Sequence, residues 1–594
     1  MREATRGRSS FPHASYCILA LCSVFVVHSN IGLVARRHLK SYSVFFGDGR
    51  SMGSSIDDNL VAAMDRAIQK DTETEQQTSE EYRKNEDAQE ASAEIQQKKQ
   101  KRLLKENASE ENQDMENDDF ERERMNVLLL YPDDWRWDML GAENPLIKTP
   151  FLDSLAKKGM RFRQNAVTSA ICWQSRATLF SGQWTSRHQS YLLKCPHFAK
   201  GERWNQTWSQ MLRNNGYFTG HIGKWQYHNG DLKKRFDYED GFAGYHWYSR
   251  RGKMYTGDEL AKLSAVEFFK RKPKDKNFAL SIAFYPPKPV GNDLEPGKQW
   301  MPKNESRALY DNLTIPEPYL HMNHTEAYKL LPKHLRSGRT SSESRWHERY
   351  RTSEHYQESM KNIYALISQI DESSKGIVEE ITRLGLLNNT MIVVTADNGM
   401  MHSAHGLAGK WYPYQESIRV PLIIYDPRMP KEKVGVVDDE HFTLNVDLAE
   451  TFLGAAGLKP HPRMQGRDIS DLYLPKMKDG KTALERKPWR DEFFYEFDID
   501  EEIAMPASSA LVRRKHKFIH WINRKRNQYQ LFDLESDPLE LHNVIAKPEY
   551  SDIAVEMKQK LEEIEREIEE PFLGCSAGNF DFNQPAKEVE KKEE

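Results

Sequence analysis

From Met125 onward, short apolar blocks alternate with longer amphipathic stretches, and this alternation predicts the architecture. "MNVLLLY", "NFALSIAFY", "TMIVVTADNG" and "VPLIIYD" contain near-continuous apolar runs, the pattern of strands buried on both faces. Between them lie helical spacings. "TPFLDSLAKKGMRF" puts Leu152, Leu155 and Ala156 on one face with Gly159 as a stop, and "MKNIYALISQIDESSKGIVEEITRLGL" carries the period further. Buried strands alternating with helices predict an α/β fold, with a mainly parallel central sheet flanked by helices. After about Arg428 the pattern loosens, then returns as short strands in "EFFYEF", "SSALVRRKHKFIHWI" and "YQLFDL" and a closing helix in "IAVEMKQKLEEIEREIEE". These predict a smaller C-terminal α+β domain.

Upstream of Met125 the texture is polar. From about Ser54 to Glu123, Glu, Gln, Lys, Asp and Ser dominate, and the few apolar residues bury too little surface to order a core. Before this stalk, Arg2, Arg6 and Arg8 precede the apolar run "YCILALCSVFVV". The run is short of the ~20 residues a membrane span needs, so a cleaved signal peptide is the first expectation and a type II signal anchor the second. The predicted organisation is 1–29 signal peptide or anchor, 30–124 charged stalk, 125–428 main α/β domain, 429–575 smaller α+β domain and 576–594 charged tail.

Composition narrows the function classes. A chain of 594 residues has room for these two domains and is no miniature disulfide scaffold. With 85 basic against 89 acidic side chains, the net charge of -4 supplies no global field for polyanions, and nucleic acid is not a predicted partner. Glycosylation sequons at Asn107, Asn205, Asn304, Asn312, Asn323 and Asn388 agree with entry into the secretory pathway, as a secreted, lumenal or anchored protein. Membrane contact is expected only if the N-terminal segment stays uncleaved. Removing that segment takes away Cys17 and Cys22 and leaves Cys172, Cys195 and Cys575. In an oxidising compartment an odd thiol is paired between chains, reactive or modified. If Cys195 pairs with Cys575, Cys172 is left over; pairing of Cys172 with Cys195 is the open alternative.

Two acidic clusters stand at the carboxyl ends of predicted strands: Asp133 and Asp134 in "LLLYPDD", Asp397 and Asn398 in "IVVTADN". Ligands of open α/β sheets bind outside those ends. Three carboxylates and an amide oxygen make a hard donor set suited to Ca²⁺ or Mg²⁺. Lys224 and His228 in "HIGKWQYHNG", and His405 and Lys410 in "AHGLAGKWYPYQESIRVP", lie in polar loops that contain glycine. Lysines there suit a tetrahedral oxyanion.

In order along the chain, "YPDDWRWDMLG", "KTPFLDSLAKKGMRF", "CWQSRATLFSGQ", "TGHIGKW", "VVTADNG" and "GKWYPYQESIRVPLII" resemble the motif series of the sulfatase family, and "YQLFDLESDPLELHNV" is similar to its C-terminal signature. The resemblance implies an alkaline phosphatase-like fold and a formylglycine-dependent sulfuric ester hydrolase acting on a sulfated carbohydrate. It implies that Cys172 is converted to Cα-formylglycine by the formylglycine-generating enzyme, and that the hydrated aldehyde attacks the sulfur of a sulfate ester. Asp133, Asp134, Asp397 and Asn398, with the modified Cys172, match the ligands of one Ca²⁺. Arg176 matches the arginine that steadies the modified residue, and Lys224 and Lys410 match the lysines that bind sulfate and the leaving group. "SRATLF" predicts a helix whose positive end faces the sulfate.

Three positions depart from the family pattern: Gln174 replaces Pro or Ala, Gln226 replaces a histidine, and Lys288 stands where "PHxP" places one. His228 is the expected substitute for the histidine missing at Gln226, and Lys288 is a candidate contact to a sulfate oxygen. The alternatives are a phosphate or phosphonate monoester hydrolase of the same superfamily and an inactive glycan-binding relative. Trp225, Tyr245 and Trp247 are candidates either to stack on sugar faces or to pack in the core.

Overall fold

The computed structural model describes residues 124–193, 195–227, 232–291, 295, 297–319, 324–336, 340–474, 488–498, 505, 507–522 and 527–568. The expected signal or anchor segment, nearly all of the stalk, the charged tail, and Cys17, Cys22 and Cys575 lie outside these residues. Among the described residues no helix is long and apolar enough to cross a membrane.

The main sheet has eight strands: β1 (Asn126–Leu130), β2 (Met160–Phe162), β3 (Phe218–Gly223), β4 (Tyr238–Gly241), β5 (Phe278–Ala283), β6 (Thr390–Val394), β7 (Ile423–Tyr425) and β8 (Val437–Asp438). Their spatial order is β8-β2-β7-β6-β1-β5-β3-β4. β1 lies between β5 and β6 and parallel to both, with Leu129 opposite Ser281 and Val393. β3 extends the parallel run between β5 and β4. β7 runs antiparallel to β6 and β2, so the sheet is mixed on that side but mostly parallel, as predicted.

The helices that contribute apolar faces to the cores include α1 (Pro150–Lys158), α2 (Cys172–Ser181), α3 (Ser353–Arg383), α4 (Leu448–Ala455) and α5 (Ser551–Ile568). They explain the apolar runs. Leu128 and Leu130 share one core with Ile363, Ile367 and Ile370 of α3, whereas Val127 and Leu129 share the opposite core with Leu179 of α2 and Phe452 of α4. A strand covered on both faces needs apolar residues at every position. Pro150 opens α1, where a missing N–H is tolerated, and the free N–H groups of Phe151 and Leu152 donate to the Asp371 carboxylate on α3 at 3.1 and 2.7 Å.

A second sheet is antiparallel, in the order β9 (Glu492–Phe497), β10 (Ser508–Arg513), β11 (His516–Trp521), β12 (Gln528–Asp533). Its period-two alternation divides it between two partners. Phe494, Leu511, Phe518 and Leu531 pack with Met557 and Leu561 of α5, while Phe493, Tyr495, Ala510 and Ile519 join the core that contains Trp411, Tyr412 and Tyr414. The predicted smaller α+β unit is thus a four-stranded sheet with one face on its own helix and the other on the main domain.

Candidate active site

Four adjacent parallel strands end on one edge of the sheet, and each is followed closely by charged or polar residues. Asp397 and Asn398 follow β6, Asp133 and Asp134 follow β1, Lys288 follows β5, and Lys224 follows β3 directly. The parallel topology therefore gathers groups that are far apart in sequence. Asp134 adopts a left-handed backbone, φ 59°, and its N–H donates to Asp397 Oδ1 at 3.1 Å, joining the two acidic clusters.

Cys172 is the first residue of α2. Its N-cap is Ile171, which offers no capping side chain, so the free N–H groups at this helix start remain available to an anion. The thiol is buried and free, while Cys195 is disulfide-bonded, which removes the Cys172–Cys195 alternative. The sulfur accepts from Gln226 Nε2 at 3.0 Å and from Lys288 Nζ at 3.5 Å. Burial pushes the Cys172 thiol up, but the charges of Lys224, Lys288 and Lys410 outweigh it and hold the thiol below its ordinary range.

Arg176 lies one turn along α2, on the same side as Cys172. Its guanidinium is buried, with Nε 2.9 Å and Nη2 2.8 Å from Asp397 Oδ2, and Nη1 donates to the Lys224 carbonyl at 3.2 Å. The Tyr131 ring lies 4.8 Å from its Cζ. Lys224 contacts the Asp133 carboxylate and Lys410 contacts Asp134; Lys288 Nζ stands 3.6 Å from Asp133 Oδ2, and Lys410 Nζ 3.8 Å from Asp133 Oδ1. Burial alone would raise Asp133, yet Lys224, Lys288, Lys410 and Arg176 together hold its carboxyl well below the usual carboxylate range. These four cations meet three carboxylates, an excess of one positive charge that suits a bound anion such as a singly charged ester.

The same residues fit a hard cation. Asp133 Oδ1 and Asn398 Oδ1 are buried and lack a hydrogen-bond donor. Asn398 Nδ2 is committed to Asp134 Oδ1 and the Gly399 carbonyl, at 2.7 and 2.8 Å. Ligand atoms from Asp133, Cys172 and Asp397 lie within 4.8 Å of one another. Buried oxygen acceptors without donors are what a Ca²⁺ or Mg²⁺ ion would satisfy.

Nine of the ten predicted site residues converge here: Asp133, Asp134, Cys172, Arg176, Lys224, Lys288, Asp397, Asn398 and Lys410. The tenth, His228, lies outside the described residues. His405, left undecided by the sequence, stacks on Tyr414 with its Nε2 3.7 Å from Glu416. Gln174 is buried, accepting from Ser169 Oγ at 2.5 Å and donating to the Tyr191 carbonyl at 2.9 Å. Trp225 packs in an aromatic cluster with Phe180 and Trp204, so core packing accounts for it, whereas Tyr245 is 65% exposed. Sequence reasoning saw Gln226 only as a departure from a pattern and did not see Tyr131 or Arg345, whose guanidinium lies 5.0 Å from the Trp411 ring beside Lys410.

The model of the family described as Sulfatase matches residues 125–458, more than half of the chain. The chain belongs to the sulfatase family. The description N-sulphoglucosamine sulphohydrolase, C-terminal, matches residues 403–567 of this sulfatase. Among curated relatives, N-acetylglucosamine-6-O-sulfatase of Bacteroides thetaiotaomicron is 24% identical over 517 residues, covering 76% of this chain and 88% of that protein. Human arylsulfatase K is also 24% identical, covering 74% of this chain and 81% of its own. The fold matches a solved structure in complex with its substrate D-glucosamine-2-N,6-O-disulfate, at TM-score 0.60 and 23% identity, covering 75% of this chain and 98% of that one. It also matches the phosphonate monoester hydrolase of Agrobacterium radiobacter, at TM-score 0.58 and 21% identity, covering 75% of this chain and 96% of that one. Family membership and fold agree with the expected class, a sulfuric ester hydrolase built on an alkaline phosphatase-like scaffold.

Proposed function

We propose that this sulfatase hydrolyses a sulfate ester on a sulfated carbohydrate, with Cys172 as the precursor of its nucleophile. The observation that carries the reading is the convergence of Cys172, at a helix N-terminus, with Lys224, Lys288, Lys410 and Arg176 against Asp133, Asp134 and Asp397. A curated relative named for N-acetylglucosamine 6-O-sulfate and a neighbour solved with a disulfated glucosamine support an amino-sugar sulfate as substrate class. Once the formylglycine-generating enzyme has converted Cys172 to Cα-formylglycine, the hydrate would supply an oxygen nucleophile where Sγ now stands, and Ca²⁺ would supply Lewis acidity.

The chain's own residues do the rest. Asp133, Asp134, Asp397 and Asn398 would hold the cation. Arg176, fixed by Asp397 and the Lys224 carbonyl, keeps a permanent charge beside residue 172. Lys224 and Lys288 balance the sulfate oxygens and Lys410 stabilises charge on the leaving oxygen, each strengthening as that charge develops. Residues 125–428 carry every catalytic residue in this reading, while β8 and α4, in the 429–575 segment expected to form the smaller domain, complete the main sheet and its core. The secretory pathway is its compartment, which agrees with the exposure of Asn205, Asn304, Asn312 and Asn388.

Two results are expected from protein made in a eukaryotic secretory host. Aryl sulfate turnover should exceed aryl phosphate turnover, and inorganic sulfate should be released from sulfated glucosaminides and not from desulfated controls. Dominant phosphate turnover would make this a phosphomonoester hydrolase instead. Ca²⁺ at about a hundred times its Kd should add about 2.7 kcal/mol of stability, read as a thermal midpoint that chelation lowers by a few degrees. An unmoved midpoint in a calorimeter would remove the cation assignment.

A further inference from the structure

The loop that carries Lys410 is strained and is held from outside the main sheet. Trp411 adopts φ 83°, a left-handed backbone that costs a bulky side chain on the order of 1–3 kcal/mol and persists only where its surroundings fix it. Three hydrogen bonds close a ring around it. The Trp411 N–H donates to the Ala170 carbonyl at 3.1 Å, the Ala170 N–H donates to the Tyr495 hydroxyl oxygen at 3.4 Å, and the Tyr495 O–H donates to the Trp411 carbonyl at 2.8 Å.

Each corner of the ring has a separate origin. Trp411 is bonded to Lys410, Ala170 leads through Ile171 into Cys172, and Tyr495 belongs to β9 of the smaller sheet. Tyr495 is fully buried, and the next residue on β9, Glu496, donates its N–H to the Thr168 carbonyl at 2.9 Å. The same sheet secures the loop beyond Trp411. Lys517 Nζ donates to the Pro413 carbonyl at 2.9 Å, Tyr414 donates its hydroxyl proton to Gln530 Oε1 at 3.0 Å, and the Gln415 N–H donates to Glu540 Oε2 at 2.8 Å.

We propose that Tyr495 is a positioning residue whose hydroxyl, bridging the Trp411 carbonyl and the Ala170 N–H, sets the distance between Lys410 and Cys172. The proposal rests on the sulfatase reading of the site, in which residue 172 carries the nucleophile and Lys410 faces the leaving oxygen. Without the hydroxyl, the Trp411 carbonyl loses its buried donor and the Ala170 N–H its acceptor, while the tyrosine ring still fills its place in the core. Lys410 then loses its fixed approach. A misplacement of about 1 Å costs on the order of 100-fold in rate, and the cost falls most heavily on esters whose leaving oxygen needs charge stabilisation.

The test compares Tyr495→Phe with Tyr414→Phe in the full chain, after mass spectrometry has verified equal conversion of Cys172. Tyr414→Phe removes a buried tyrosine hydroxyl from the same loop but not from the ring. Tyr495→Phe should lower kcat about 10-fold on 4-nitrophenyl sulfate and about 100-fold on phenyl sulfate with KM little changed. Tyr414→Phe should leave the ratio between the two esters at its wild-type value. Hydrogen exchange should speed up in the peptide from Gly409 to Pro413 in Tyr495→Phe. A wild-type ratio in Tyr495→Phe, an equal change in Tyr414→Phe, or unaltered exchange would each overturn the positioning role. A wild-type enzyme that hydrolyses neither ester would sink the sulfatase reading itself, and this role with it.

Discussion

Cys172→Ala is expected to abolish turnover while the protein remains folded. The fold should survive because the change removes one sulfur at the first position of α2, where alanine is a good helix residue, at a cost of about 1 kcal/mol for the small cavity. Activity should not survive. Everything else in the site acts around that position: Gln226 Nε2 and Lys288 Nζ reach the sulfur, and the free N–H groups of α2 begin there. Removal of a nucleophile that works as a unit with its neighbours costs at least about four orders of magnitude in kcat. The measurement is single-turnover sulfate release beside a circular dichroism melt. Activity within tenfold of wild type would remove Cys172 from the chemistry.

Arg176→Ala is expected to be the most destabilising single change in the site. The guanidinium fills the space between Asp397, the Lys224 carbonyl and the Tyr131 ring, and Asp397 is itself inaccessible to water. Deleting one partner of a buried pair leaves the other charge uncompensated, at a cost of about 3–5 kcal/mol. Arg176→Lys should recover only part of this, because an ammonium keeps the charge but cannot reach Asp397 and the Lys224 carbonyl with a planar fork. Urea unfolding of the three proteins gives the comparison. A loss of less than about 1 kcal/mol for Arg176→Ala would mean that the Asp134 N–H and the charges of Lys224 and Lys410 suffice to hold Asp397.

Much of this was readable along the chain because the signals are local. An apolar run such as "NVLLL" marks a strand covered on both faces, and β1 has those two covers. The Asp133–Asp134 and Asp397–Asn398 pairs after β1 and β6 sit at strand ends whichever strands lie beside them, so their place on the carboxyl edge followed once the sheet was read as parallel. β7 shows the limit of such signals. "VPLIIYD" is as apolar as its neighbours yet runs antiparallel, since a short buried strand has the same composition in either direction.

The sequence by itself determined the fold class, the family, the position of the candidate nucleophile and the set of charged residues gathered around it. These follow from periodicity and from motifs a few residues long, where neighbours in sequence are neighbours in space. Only the tertiary structure decided which oxygens lack donors, that Gln226 and Lys288 touch the Cys172 sulfur, and that Cys172 stays free of Cys195. It alone revealed Tyr495, whose two hydrogen-bond partners lie 84 and 325 residues away along the chain. No local pattern marks such a residue, because the bonds that give it meaning form only when one sheet packs against the loop of another.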